Sequence, residues 1–238
     1  MRTIPTYLLF DADGTLLDYN QAEYQALKAT LAWAGFKGKF EPALLFYREI
    51  NIKLWKSFEK GEISQEILRT RRFALLRDEL NLGSVQKVLT EEVLSKIYLK
   101  NLAKTGHTIE YALEVIKELH QNKKFTMAIV TNGLKDVQYD RLKAAGIHDY
   151  FKKIIISEEI GIQKPNKDFF EKSFKLLGSD DKESYMIIGD TYSSDIQGGI
   201  NAGIKTCWFN PGKTPLNGNP VPDLEIFDLR ELLPLLAH

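Results

Sequence analysis

Residues 108–238 alternate between helical stretches and short apolar runs, and no other feature of the chain constrains its fold so strongly. The apolar runs predict buried strands at 125–130, 153–157, 185–188, 205–209 and 224–226. A predicted helix precedes each of the first four runs: Ile109 to His120, about Asp136 to Ala145, Lys167 to Leu177 with Gly178 at its end, and about Ser194 to Ala202. Another helix begins at Leu229. Strands that alternate with helices indicate right-handed βαβ units. The sequence therefore predicts a parallel sheet that is covered by helices on both faces.

A first strand stands far upstream of this region. The run that begins at Tyr7 predicts a strand over 7–11, whereas Asn20 to about Gly106 shows helical periodicity and no convincing strand. Start and stop residues predict four helices there: Asn20 to Gly35, Pro42 to Lys60, Ser64 to 81–83, and one from Ser84. We therefore predict an α/β core of residues 1–17 and 107–238, interrupted by an all-helical insertion of residues 18–106.

Composition and charge exclude several classes of partner. The 238 residues are 44% hydrophobic and 27% charged, and 32 basic residues balance 32 acidic ones. A formal net charge of zero does not favour a surface for nucleic-acid polymers. No run approaches the roughly 18 apolar residues of a membrane span, and no signal-peptide pattern begins the chain. With Cys207 as the single cysteine, these features predict a soluble cytoplasmic protein without membrane or nucleic-acid partners.

Two carboxylates stand at the end of the first strand. Asp11 and Asp13 lie one residue apart, and Gly14 and Thr15 follow them. Two anions within about 4 Å repel by roughly 4 kcal/mol at an effective dielectric of about 20, so a positive group is expected between them. Gly14 would let the backbone turn and approach a ligand closely. A plain acidic turn is the alternative interpretation, because Asp and Gly are common turn residues.

Polar residues also follow the other predicted strands. Ligands of open α/β sheets bind at the carboxyl ends of the strands. There the sequence places Thr131-Asn132-Gly133, Lys164-Pro165, and Gly189-Asp190 followed by Asp195. Carboxylates, a hydroxyl, amides and one lysine suit a site that holds a phosphate together with a divalent cation. The alternatives are a helix cap for Thr131, a solvated surface lysine for Lys164, and a helix-start carboxylate for Asp195.

These motifs, in this order, resemble the haloacid dehalogenase-like (HAD) hydrolase superfamily. The resemblance covers nearly the whole chain and rests on Asp11-Ala12-Asp13-Gly14-Thr15, Thr131-Asn132-Gly133, Lys164-Pro165 and Gly189-Asp190. It implies a Rossmann-like, doubly wound sheet with an inserted α-helical cap of the C1 type. The stretches 160–165, 195–203 and 206–210 further resemble the noncanonical pyrimidine 5′-nucleotidase branch.

The resemblance also implies a role for each carboxylate. Asp11 would be the nucleophile that forms an aspartyl-phosphate. Asp13 would protonate the leaving oxygen and later activate water. Asp11, Asp190 and the backbone carbonyl of Asp13 would ligate Mg²⁺, while Asp195 would orient the metal's water shell from behind.

The remaining implied roles concern the phosphate. Thr131 and Asn132 would hold the transferring phosphoryl group together with backbone N–H groups of their loop. Lys164 would neutralise the charge of the phosphoryl group and of Asp11. We expect near-complete dependence on Mg²⁺, because otherwise the carboxylates would repel one another and a dianionic substrate.

The implied function is hydrolysis of a phosphomonoester of a small metabolite, with a pyrimidine nucleoside monophosphate as the narrower expectation. A phosphatase for sugar phosphates and other small metabolites is the alternative, and a silent phosphate-binding scaffold is a third. Dehalogenases of the superfamily lack the second aspartate, so the presence of Asp13 argues against dehalogenation. The sequence leaves the oligomeric state open between a monomer and a homodimer.

Overall fold

A computed structural model of the chain describes residues 4–82, 89–217 and 220–237. It divides into two compact units. The sheet unit consists of residues up to Tyr19 together with those from Gly106 onward, and the helical insertion consists of Asn20–Thr105. The assignment of these units as separate domains stays a prediction.

Six parallel strands form the sheet of the sheet unit. They are β1 (Tyr7–Phe10), β2 (Thr126–Thr131), β3 (Lys153–Ile156), β4 (Tyr185–Gly189), β5 (Lys205–Phe209) and β6 (Leu224–Ile226). Their order is β3-β2-β1-β4-β5-β6, with every neighbouring pair parallel. Successive strands add on one side of β1 and then, from β4, on the other. This reversal confirms the predicted doubly wound α/β fold and marks where such sheets bind ligands.

The described residues of the helical insertion form four α-helices. They are α1 (Tyr19–Trp33), α2 (Phe40–Glu59), α3 (Gln65–Glu79) and α4 (Glu91–Leu102). Ser64 caps α3, as its side chain accepts a hydrogen bond from the Ile67 N–H at 3.3 Å. Thr90 caps α4, whereas the predicted start of the fourth helix at Ser84 lies outside the described residues. The rings of Tyr47, Phe73 and Tyr98 pack together in its core, with centroids 5.2–5.7 Å apart.

Helices cover both faces of the sheet. In chain order they are α5 (Ala112–Gln121), α6 (Lys135–Ala144), α7 (Ser157–Ile160), α8 (Lys167–Leu177), α9 (Gln197–Ala202) and α10 (Leu232–Leu236). Successive strand residues point to opposite faces, so Leu8 and Phe10 join α5, α6 and α10 in one core. Leu9 joins α8 and α9 in the other core. None of the helices described is both long and apolar enough to cross a membrane.

Three local features differ from the predictions. The strand predicted to reach Ser157 ends at Ile156, because Ser157 begins the short helix α7. The helix predicted from 109 begins at Ala112, since Tyr111 has a left-handed backbone with φ 62°. The helix predicted from about 194 is preceded by a π-helical turn over Tyr192–Ile196, a form that is frequent at functional sites.

Candidate active site

The carboxyl edge of the sheet collects polar residues from four strands. Asp11 follows β1, Thr131 ends β2, and Asp190 follows β4. Lys164 reaches the same edge from the loop after β3 and α7. These strands lie on both sides of the reversal in strand order, which is the expected ligand position in a sheet of this kind.

Lys164 is the centre of a buried ion cluster. Its Nζ donates to Asp11 Oδ1 at 2.6 Å, to Asp195 Oδ1 at 2.6 Å and to the Val130 carbonyl at 2.7 Å. The residue is only 1% exposed, which excludes the alternative of a solvated surface lysine. All three donors of the ammonium group therefore have partners, and its position is defined from three directions.

Asn132 holds the backbone that carries this lysine. Its Nδ2 donates to the Lys164 carbonyl, and its Oδ1 accepts from the Lys164 N–H, both at 2.9 Å. The side chain thus pairs with both backbone groups of one residue, as a neighbouring strand would. Asn132 was predicted to bind the substrate phosphate, and the structure engages its side-chain amide in positioning Lys164. That predicted contact stays a prediction.

Asp190 is oriented by contacts with the start of the chain and with β5. Thr15 Oγ1 donates to Asp190 Oδ1 at 3.1 Å and accepts from the Asp190 N–H at 3.0 Å. Trp208 Nε1 donates to the Asp190 carbonyl at 2.9 Å. Because Thr15 and Trp208 are both buried, they restrict the backbone and the carboxylate of Asp190.

Asp195 lies behind Lys164 and is fully buried. Its Oδ1 accepts from Lys164, and its Oδ2 accepts from the Thr191 N–H at 3.1 Å. The side chain therefore holds Lys164 and the π-helical turn, in addition to lying near the start of α9. Its predicted role, to orient the water shell of the metal, stays a prediction.

Two glycines allow these carboxylates to approach the backbone. Gly14 has φ 87°, and a Cβ atom there would lie 2.4 Å from Asp190 Oδ2. A Cβ atom on Gly189 would lie 2.3 Å from Asp195 Oδ2. Such distances are far inside van der Waals contact, so any side chain at either position would displace a carboxylate of the cluster.

The cluster carries more negative than positive charge. One carboxylate oxygen from each of Asp11, Asp190 and Asp195 lies within 4.8 Å of the others, and Lys164 is the cation among them. Burial raises the pKa of Asp11; Lys164 counteracts this rise, and Asp195 and Asp190 add to it. Burial and the Asp195 charge raise the pKa of Asp190 to about 7. Burial lowers the pKa of Lys164, but Asp11 and Asp195 more than reverse this, so its pKa is raised.

These shifts have one physical meaning. A carboxylate beside a lysine ordinarily has a lowered pKa, yet Asp11 has a raised one, because burial disfavours its charged form and the Asp195 and Asp190 charges add to that effect, which Lys164 only partly offsets. The donors are hard oxygen atoms, which Mg²⁺ prefers. The residues present therefore fit a divalent cation, both in donor chemistry and in the positive charge that they require.

Asp13 has its side-chain partners on helix α6, in residues that do not belong to this cluster. Gln138 Nε2 donates to Asp13 Oδ2 at 2.6 Å, and Arg141 Nη1 donates to Asp13 Oδ1. The Asp13 side chain is 27% exposed, whereas Arg141 is 1% exposed. The two aspartates of the motif thus have different surroundings. Asp11 is buried against a lysine, and Asp13 reaches solvent with its two oxygens bound by α6.

Thr131, at the end of β2, contacts the loop that follows it and helix α6. Its Oγ1 accepts from the Gly133 N–H at 2.9 Å and from Gln138 Nε2 at 3.3 Å. The N-cap position of α6 is Leu134, so the alternative of Thr131 as a helix cap does not hold. Gly133 is required beside it, because a Cβ atom there would lie 1.9 Å from Gln138 Nε2.

Sequence reasoning missed several residues of this site. Gln138, Arg141 and Trp208 contact predicted site residues, and none was singled out as a candidate. Gln138 and Arg141 lie three positions apart on a helix that directly follows Thr131-Asn132-Gly133, so both face the same way. That spacing of a long amide and a guanidinium close behind a strand end was the available signal.

This chain is similar in sequence to known hydrolases over most of its length. The family profile of haloacid dehalogenase-like hydrolases matches residues 8–209. YfnB of Bacillus subtilis, named as a HAD-hydrolase, is 35% identical over 233 residues, which are 96% of this chain and 94% of that protein. Pyrimidine 5′-nucleotidase PynA of Streptococcus pneumoniae is 33% identical over 97% of this chain and 94% of its own. Glyceraldehyde 3-phosphate phosphatase of Methanopyrus kandleri is 38% identical over 97% of both chains.

A solved structure agrees over the whole length of the chain. The crystal structure of YfnB bound to magnesium superposes with a TM-score of 0.89 at 33% identity, covering 99% of this chain and 100% of that one. Interdomain movement is described for that protein. These three relatives and this solved structure each cover 96% or more of the chain. The chain belongs to the haloacid dehalogenase-like hydrolase family.

Proposed function

We propose that the protein is a Mg²⁺-dependent phosphatase that hydrolyses phosphomonoesters through an aspartyl-phosphate on Asp11. The observation that carries this proposal is the pairing of two different aspartates at one strand end. Asp11 is fixed in a cluster short of positive charge, and Asp13 lies apart with its oxygens held by α6. A nucleophile and a separate acid/base group are what this two-step reaction requires.

Asp11 and Asp190 would hold the metal, together with the backbone carbonyl of Asp13. The charge deficit of the cluster and its oxygen donors support this assignment. Asp195 would act from behind, because Lys164 and the Thr191 N–H occupy its oxygens. When bound, Mg²⁺ supplies positive charge that offsets the phosphoryl oxygens and the neighbouring carboxylates.

The reaction then proceeds in two displacements at phosphorus. A carboxylate oxygen of Asp11 bonds to phosphorus as the bond to the leaving oxygen breaks, and Asp13 gives its proton to that oxygen. In the second displacement a water oxygen bonds to phosphorus and transfers a proton to Asp13. The bond between phosphorus and Asp11 breaks, which releases inorganic phosphate and restores both carboxyl groups.

Lys164 and the loop after β2 would hold the phosphoryl group in both displacements. The Lys164 ammonium is already 2.6 Å from Asp11 Oδ1 and can neutralise charge that develops there. Thr131 would present its hydroxyl and the N–H groups of the following residues. Asn132 would act through Lys164, since its amide fixes the lysine backbone.

The substrate class that we propose is the pyrimidine nucleoside monophosphates. Its support is the full-length similarity to a pyrimidine 5′-nucleotidase, at 33% identity. A sugar phosphate is the second candidate, supported by the 38% identity to glyceraldehyde 3-phosphate phosphatase. In either case the partner is a small phosphorylated metabolite. We also propose a cytoplasmic location, which the single buried cysteine favours.

The test is phosphate release with Mg²⁺ from UMP, dUMP, dTMP and a set of sugar phosphates. Wild type would be compared with Asp11→Asn and with Asp149→Asn, a matched change at a side chain that is 99% exposed. We expect pyrimidine nucleotides to be preferred, Asp11→Asn to lose at least about 10⁴-fold in kcat, and Asp149→Asn to match wild type.

The other outcomes separate the parts of the proposal. Turnover of sugar phosphates alone would keep the mechanism and contradict the nucleotidase assignment. Full activity of Asp11→Asn would contradict the aspartyl-phosphate. A folded, Mg²⁺-binding wild type without turnover on any substrate would instead support a phosphate-binding scaffold.

A further inference from the structure

Helix α6 grips the carboxylate of Asp13 with two side chains. Gln138 Nε2 donates to Asp13 Oδ2 at 2.6 Å, and Arg141 Nη1 donates to Oδ1. Each oxygen of the carboxylate thus has its own donor, which fixes both its position and its rotation. Gln138 Nε2 also donates to Thr131 Oγ1 at 3.3 Å, so one amide group contacts both Asp13 and Thr131.

The burial of these two polar side chains costs free energy, and the packing of helix α6 does not account for why they are present. Arg141 is buried, and two atoms of the pair, Arg141 Nε and Gln138 Oε1, are buried without a hydrogen-bond partner among the described residues. Unsatisfied buried polar atoms cost free energy, and an apolar side chain of similar volume would avoid that cost. The arrangement is therefore better explained by an action on Asp13 than by packing of the helix.

We propose that Arg141 and Gln138 are positioning residues that hold Asp13 for the second displacement at phosphorus. This inference rests on the proposed function. In the first displacement Asp13 gives up its proton and becomes a carboxylate. That ionised form is the one with which the Arg141 guanidinium pairs, and the Gln138 amide fixes its other oxygen. Water then meets a carboxylate that is already oriented to take its proton.

The inference predicts an effect on one half of the reaction. Removing the guanidinium should slow hydrolysis of the aspartyl-phosphate more than its formation. With p-nitrophenyl phosphate, whose leaving group needs no proton, the first displacement should persist and the second should become limiting. General acid and base groups contribute about 10²–10⁴-fold to rates, and a group that orients one should account for part of that factor.

The experiment is stopped-flow release of p-nitrophenolate by Arg141→Met in the presence of Mg²⁺. We expect a burst of about one equivalent per chain, then a steady-state rate roughly 10–100-fold below that of wild type. KM should stay level or fall, because the covalent intermediate accumulates. Acid quenching and intact-mass analysis should detect the phosphorylated chain, which is a readout independent of turnover.

Two comparisons exclude a merely structural effect. Arg230→Met removes an exposed arginine that pairs with Asp228 at 2.6 Å in the same unit, and it should show wild-type kinetics without a burst. In an Asp13→Asn background, Arg141→Met should cause no further loss, because its action passes through Asp13. Gln138→Met should produce the same burst with a smaller decrease in rate, and it serves as the test if Arg141→Met does not fold.

Each contrary result has a distinct meaning. A decrease in rate without a burst or a phosphorylated chain, or an additive loss in the Asp13→Asn background, would overturn the positioning role. Unchanged kinetics of a folded Arg141→Met would overturn it as well. A wild type that turns over no phosphomonoester would instead contradict the proposed function from which this inference starts.

Discussion

Two buried ionic clusters of this protein differ in how completely their charges are paired. The strand-end cluster of the sheet unit contains Asp11, Lys164, Asp190 and Asp195, and its three carboxylates share one lysine. The insertion cluster of the helical insertion contains Glu23, Arg48, Asn51 and Arg72. There one carboxylate has two guanidinium groups and an amide around it.

The Glu23 carboxylate and the Asn51 amide of the insertion cluster have hydrogen-bond partners within the insertion itself. Glu23 accepts from Arg48 Nε at 2.6 Å and from Asn51 Nδ2 at 3.3 Å. Arg72 Nη1 donates to Asn51 Oδ1 at 2.9 Å. The Arg72 guanidinium also lies 5.2–6.0 Å from the centroids of the Tyr47, Phe73 and Tyr98 rings, within the range of cation–π attraction.

The difference distinguishes a structural network from a binding site. The insertion cluster contains its own counterions, so we expect its loss to reduce mainly stability. The strand-end cluster has one lysine for three carboxylates, so it gains stability from a ligand that supplies further positive charge. Changes in the two clusters should therefore appear in different measurements.

Removal of Mg²⁺ should produce the largest effect. Chelation with EDTA should reduce turnover to background, because the carboxylates would then repel the substrate. A saturating ion at about 100 times its Kd should stabilise the fold by about 2.7 kcal/mol, measured as a Mg²⁺-dependent rise in Tm. Asp190→Asn should lose most of that rise. Activity that survives thorough chelation would contradict the metal dependence.

Replacement of Lys164 should produce the second-largest effect on turnover. Lys164→Met leaves the three carboxylates of the strand-end cluster, two of them buried, without a protein cation, so we expect kcat to fall by about 10³-fold and Tm to fall as well. Lys182→Met is the matched control, since that lysine is half-exposed and pairs with Glu171 at 2.7 Å. Turnover of Lys164→Met within about tenfold of wild type would mean that Mg²⁺ alone neutralises the site.

A change in the insertion cluster should act on stability. Arg72→Ala removes a buried side chain from between three rings and from Asn51, so we expect a loss of about 3 kcal/mol in the free energy of unfolding. Urea unfolding can be followed by tryptophan fluorescence, because Trp33 and Trp55 lie in the helical insertion. An unchanged unfolding curve would show that the cluster does not stabilise the insertion.

The smallest effect should be a pH dependence of the free energy of unfolding that arises from Glu23. Burial raises the pKa of Glu23, and its contacts with Arg48, Arg72 and Asn51 only partly offset this. A raised folded-state pKa gives stability that is complete below the unfolded pKa, about 4.3, and is lost as pH rises through the folded value. Glu23→Gln should therefore gain stability relative to wild type between acidic and neutral pH, as measured by urea unfolding.

Glu49→Gln gives the opposite sign and serves as the control. Its hydrogen bond and charge pairing with Lys53 lower the pKa of Glu49, so its stabilisation is present above the unfolded pKa and is lost as pH falls. Equal pH profiles for the two variants would mean that burial does not control the charge of Glu23.

Much of the fold could be predicted because it depends on local patterns. The order of strands and helices follows from periodicity, and the helix α8 has the predicted bounds of Lys167–Leu177 with Gly178 at its end. Parallel strands end at a common edge, so the predicted gathering of Asp11, Lys164 and Asp190 follows from strand order. The π-helical turn and the left-handed Tyr111 have no such periodic signal.

The residues that stand at the strand ends can be read from the order of amino acids, since each follows an apolar run. Their partners depend on how distant parts of the chain pack. Asp13 and Arg141 are 128 positions apart, and Lys164 and Asp11 are 153 apart, so no local pattern connects them. Burial, which raises the pKa of Asp11 and leaves the cluster short of positive charge, likewise arises only when distant elements pack together. The identity of the charges is therefore a property of the sequence, and their imbalance is a property of the fold.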